Sequence, residues 1–122
     1  MGLFASHEVE PAEIRERFGH ALIDGEEVLA AFRSLRDTAF LTNYRFVLVD
    51  VQGLTGSKVS FESVPYRSIT RFAVESAGTF DVDSELRIWV SSALGPLTLK
   101  VSRNADPAAI HRLLAGLVLG QR

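Results

Sequence analysis

The sequence predicts an α+β fold: a strongly bent antiparallel sheet, or partly open barrel, of about seven short strands. A C-terminal amphipathic helix closes it, and an extra helix precedes it. Three observations carry this reading. Between about residues 27 and 103, apolar residues alternate in short runs, the period of strands with one wet face. The runs are joined by hairpin-length turn material, which links antiparallel neighbours. Residues 106–119 carry an apolar stripe at helical spacing. The 122 residues suit one domain with one core, spanning 1–122.

The elements follow in order. Residues 10–22, "EPAEIRERFGHAL", read as a helix, with Glu10 at its start and Pro11 at the first helical position. Ile14, Phe18, Ala21 and Leu22 share one stripe, and Gly19 is expected to end or bend the helix. "VLAAFRSL", "TAFLTN" and "RFVLVDVQ" then read as strands, and "QGLTGSK" as a hairpin connection. "KVSFESV", "SITRFAVES", "ELRIWVS" and "PLTLKVSR" continue the alternation. In the last, Leu97, Leu99 and Val101 oppose Thr98, Lys100 and Ser102. Asp106 is a good N-cap, followed by Pro107. Ile110, Leu113, Leu114, Leu117 and Val118 form the stripe. Their full burial is worth at most roughly 8 to 15 kcal/mol, so this helix must lie on the sheet.

Phe46 and Leu48 alternate with Val47 and Val49, so "RFVLVDV" is apolar on both faces. Such a strand needs two covers. One C-terminal helix supplies one, so the N-terminal helix or a partner subunit is expected on the other face.

Composition narrows the function. Net charge is −2, with 13 basic residues spread along the chain, so nucleic-acid binding is not expected. The absence of cysteine excludes a disulfide scaffold, a thiolate zinc site and a cysteine nucleophile, and it fits the cytoplasm. No apolar run reaches the roughly 18 residues of a spanning helix, and no signal-peptide pattern is present at the N-terminus.

The stretch "SAGTFDVDSELRIWV" places Asp81, Asp83 and Glu85 before a strand that carries the single tryptophan. The acids imitate the start of a calcium loop. Such a loop needs a glycine at its sixth position and a glutamate at its twelfth, where this chain has Leu86 and Ser92. The acids are therefore read as a solvated lip that can pair with basic groups, and no metal is expected. His7, His20 and His111 share no ligand spacing. No nucleophile elbow or phosphate loop is present, so neither catalytic residues nor a cofactor are expected. Trp89 alternates with Leu86, Ile88 and Val90 and points outward beside Arg87, needing cover from the N-terminal helix or a neighbouring subunit. Tyr66 is expected as a packed ring with its hydroxyl at the surface.

Two stretches carry a resemblance. "FLTNYRFVLVD" (40–50) resembles the strand-turn-strand element of bacterial pleckstrin-homology (PH) domains. "VPYRSITRFAVESAGTFDVDSELRIWV" (64–90) is similar to the small stand-alone bacterial PH-like family. In that family a proline–tyrosine pair leads to a strand, a glycine turn, an acidic stretch and a tryptophan strand. The resemblance implies a soluble, non-catalytic module that assembles into homo-oligomeric rings. A ring needs heterologous contact, for which Trp89, Arg87, Arg71, Arg67, Asp81, Asp83 and Glu85 are the candidate interface residues. The expected partner is the chain itself, in a cyclic homo-oligomer, with another protein as a further partner. Eukaryotic PH domains often bind phosphoinositides at the first hairpin. Here "AAFRSLRDTAF" offers Arg33 and Arg36, with Arg45 nearby, and no lysine. Anionic-lipid binding through these arginines is the alternative, and membrane binding is not the main expectation.

Overall fold

The computed structural model describes residues 7–34, 37–53, 57–91 and 93–120. Arg36, Ser92 and the centre of the "QGLTGSK" connection lie outside them. Among the described residues the chain forms eight strands and two α-helices. In chain order these are β1 (His7–Val9), α1 (Pro11–Phe18), β2 (Val28–Arg33), β3 (Asp37–Thr42), β4 (Arg45–Gln52), β5 (Lys58–Pro65), β6 (Ile69–Glu75), β7 (Asp83–Val90), β8 (Leu97–Ser102) and α2 (Pro107–Leu119). The strands make two antiparallel sheets, β1-β2-β3-β4-β5 and β6-β7-β8. The bent sheet predicted from sequence is thus an open pair of sheets.

β1 is the strand the sequence does not announce. It has three residues, too few for alternation to register, and pairs only from His7↔Arg33 to Val9↔Ala31. The N-terminal helix is shorter than the expected 10–22. Pro11 opens it, and at Gly19 the backbone tightens into a 3₁₀ turn, Gly19–Ala21. Glycine's poor helix propensity accounts for the stop. Gly25, with φ 80, turns the chain into β2, a conformation that side chains with a Cβ resist.

The two-sided strand finds both covers within its own chain. Phe46 of β4 faces the main core with Leu41, Leu86, Ile88, Val101, Ile110 and Leu114. Val47 and Val49 face the other way and pack with Phe40, Val28 and Ala31 under Ile14 and Phe18 of α1. The Phe18 and Phe40 rings stack at 6.3 Å. The back of β4 is dry, with Val47 at 2% and Val49 at 0% exposure. Of the two covers expected from sequence, the N-terminal helix provides this one. It does not reach Trp89, which lies in the other sheet.

α2 closes the main core. Asp106 caps it, its Oδ1 accepting from the backbone N–H of Ala108 (3.0 Å) and Ala109 (3.3 Å). Ile110 and Leu114 are buried, and Leu113, Leu117 and Val118 pack against the same core.

Candidate interaction surface on the second sheet

β7 sorts its side chains by alternation. Ser84, Leu86 and Ile88 are buried, and Asp83, Glu85, Arg87 and Trp89 occupy the opposite face. Cross-strand register extends that outer face. Arg71 of β6 lies opposite Trp89, Ala73 opposite Arg87 and Glu75 opposite Glu85. On the other side Thr98 faces Arg87 and Lys100 faces Glu85. The fold therefore brings together most of the residues that the sequence singles out.

The face is internally paired. The Arg71 guanidinium carbon lies 4.4 Å from the centre of the Trp89 ring, a cation–π contact. This cover comes from the neighbouring strand of the same sheet and not from the N-terminal helix. Arg87 Nη2 donates to Glu75 Oε1 at 3.3 Å, and its buried Nε has no hydrogen-bond partner. Lys100 Nζ donates to Glu85 Oε2 at 2.8 Å. That bond lowers the Glu85 pKa and raises that of Lys100. Glu75 and Glu85 stand directly opposite, an unfavourable pairing that Arg87 and Lys100 offset.

The β6–β7 connection forms a lip on this face. Asp81 Oδ2 accepts from Gly78 N–H at 2.9 Å, tying the turn back on itself. Arg103 Nη1 donates to the Asp81 carbonyl at 2.5 Å. On either side of Asp81, Phe80 is 97% exposed and Val82 60% exposed. A hollow of about 450 Å³ is bounded by Phe80, Asp81, Val82, Glu85 and Lys100. The acids are thus a lip beside two projecting apolar side chains. Among the described residues no group of three or more His, Cys, Asp or Glu could hold a metal ion.

The remaining arginines lie elsewhere. Arg67 sits exposed in the 3₁₀ turn Tyr66–Ser68, with no ion pair among the described residues. Arg33 Nη1 pairs with Glu13 Oε2 at 3.0 Å. Arg45 is locked to Glu26 through Nε and Nη2, both at 2.8 Å. The histidines are apart, His20 edge-on to Phe61 and His111 against Phe72.

The Arg45 cluster is what sequence reasoning missed. Thr42 Oγ1 donates to Glu26 Oε2 at 2.6 Å, and the Tyr66 hydroxyl donates to the carbonyls of Thr42 (2.5 Å) and Arg45 (2.8 Å). Tyr66 is 1% exposed, so its hydroxyl is buried and not at the surface as its sequence position suggested. The polar run "TNYR", set between apolar strands, is the signal that was available. Polar groups buried there must be satisfied together. Arg45 holds the Glu26 carboxyl down at about 2, and burial pushes the Tyr66 phenol up.

Two stacked antiparallel sheets capped by a C-terminal helix define a PH-like domain. The chain belongs to the bacterial PH domain family, whose model matches residues 2–118. It is similar to the uncharacterised Bacillus subtilis protein YjqA, at 52% identity over 109 residues, covering 88% of this chain and 87% of that one. It is also similar to a pleckstrin-homology domain protein of Shewanella loihica, at 40% identity and TM-score 0.81, covering 93% and 97% of the two chains. A PH domain of Shewanella amazonensis matches at 39% identity and TM-score 0.70, over 92% and 90%. None of these descriptions names an enzymatic activity.

Proposed function

We propose that this chain is a non-catalytic PH-like interaction module of the cytoplasm that self-assembles into a homo-oligomeric ring and serves as a protein-binding scaffold. The outer face of the second sheet, with its lip, is one half of the contact between subunits. One observation carries the reading: Phe80, a large aromatic, stands 97% exposed beside Val82 on an acidic lip. Exposed aromatics rimmed by charge are the usual anchors of interfaces. The back of β4 contributes nothing to this case, because α1 already covers it. In a heterologous contact the lip meets a different surface of the next subunit, and rotation closes the ring. Of the three candidate arginines, Arg67 is exposed and has no ion pair among the described residues, so it is the one available to meet Asp81 or Asp83, since Arg71 and Arg87 are engaged within the subunit.

Size-exclusion chromatography with light scattering tests the proposal. The expected result is an oligomer whose mass falls in the Phe80→Asp variant while its melting temperature holds. A monomer at tens of micromolar overturns it. The anionic-lipid alternative draws little support, because Arg33 pairs with Glu13 and Arg45 with Glu26.

A further inference from the structure

A groove of about 260 Å³, which shares no lining residue with the hollow at the lip, runs between β2 and the first turns of α2. Its floor is apolar, with Ala31, Phe32 and Ile110 buried and Leu29 42% exposed at the wall. Pairing of β1 with β2 ends at Val9↔Ala31, so Leu29 and Ala30 have no strand beside them on that side. Its rim is acidic, formed by Glu8, Glu10 and Asp106. Glu8 and Glu10 are exposed and form no ion pair among the described residues. The Glu10 side chain does not cap α1, although it stands at the N-cap position. Asp106 accepts from two backbone amides.

We infer that this groove docks a short peptide segment of another protein, with one or two apolar side chains flanked by lysine or arginine. The volume is below the roughly 300 to 1,000 Å³ of a pocket for a drug-sized ligand, so it takes side chains and not a cofactor. The rim repels phosphate and carboxylate, which excludes nucleic acid, anionic lipid and acidic peptides. It attracts cations, and two exposed carboxylates beside an apolar trough complement a basic–apolar segment. The lip and the groove are separate surfaces, so the docking stands whether or not the ring forms.

Fluorescence anisotropy with a labelled nine-residue peptide of alternating lysine and leucine tests it. A peptide of alternating glutamate and leucine is the control and should not bind. The double reversal E8K/E10K should weaken lysine–leucine binding about tenfold or more, and D24K/E62K, at exposed acids that do not line the groove, less than about twofold. Binding should also weaken as salt rises from roughly 0.05 to 0.3 M. Equal loss in the two double variants overturns the inference, since it marks generic charge attraction. Absence of binding by the wild-type chain overturns it as well. So does a change in oligomer mass in E8K/E10K, which marks the groove as a seat for a second copy.

Discussion

Glu26 grips Arg45 with both carboxylate oxygens, and its own side chain is fully enclosed. Arg45 also donates to the Ala21 carbonyl (2.7 Å) and to Ser63 Oγ (2.8 Å), so one guanidinium ties the end of the N-terminal helical segment to β4 and β5. Removing either partner strands the other. Glu26→Ala and Arg45→Ala should each cost about 3 to 5 kcal/mol in urea unfolding. Arg45→Lys should recover only part of this, because one ammonium nitrogen cannot stand in for the three separate nitrogens that reach Glu26, Ser63 and the Ala21 carbonyl.

The same pair sets an acid limit. Hydrogen bonding to Arg45 depresses the Glu26 pKa from 4.5 to about 2 in the folded protein. Its stabilisation is therefore complete above pH 4.5 and is lost as pH falls through about 2. Stability measured by chemical unfolding should decline across that window. In Glu26→Gln, less stable at neutral pH, the decline should be shallower.

Asp37 has the opposite sign. It faces Asp50 across β3 and β4, and burial, then the Asp50 carboxyl, raises its pKa from 3.8 to about 6. A carboxyl raised on folding favours the folded state below the unfolded value and weighs against it as pH climbs through the folded one. Asp37→Asn should thus raise stability by about 1 to 2 kcal/mol at pH 7, and the gain should vanish by about pH 4. A gain independent of pH would contradict this reading.

Tyr66→Phe removes the hydroxyl that bridges two buried carbonyls while keeping the ring. A loss of roughly 1 to 3 kcal/mol is expected, with the fold retained by circular dichroism. A neutral result would mean that the hairpin turn holds itself without the bridge.

Trp89 is the only tryptophan, and Arg71 lies over its ring. Arg71→Ala should shift the emission to longer wavelength as water reaches the indole. A double-mutant cycle of Arg71→Ala with Trp89→Leu should give a coupling of about 0.5 to 1 kcal/mol. No coupling would make the stack incidental.

Periodicity made the sheets and α2 legible, because each strand after β1 repeats its apolar residues over several positions. Two-sided apolarity in β4 announced a second cover, and Ile14 and Phe18 supplied it. The outer face of β7 was legible for the same reason, since alternation alone sends Arg87 and Trp89 outward. Two things were hidden. Ion pairs across strands depend on register, which alternation does not give: Glu85 finds Lys100 of the same chain, fifteen residues on. The Glu26–Arg45 cluster joins residues 19 positions apart through a turn and a hairpin, and nothing local to either residue marks it.

Because α1 lies over Phe40, Val47 and Val49, it acts as a lid on the smaller of the two hydrophobic clusters. A protease nick between α1 and β2 would lift that lid and leave a greasy slab in water. Clipped material should precipitate, whatever the state of the lip or the groove.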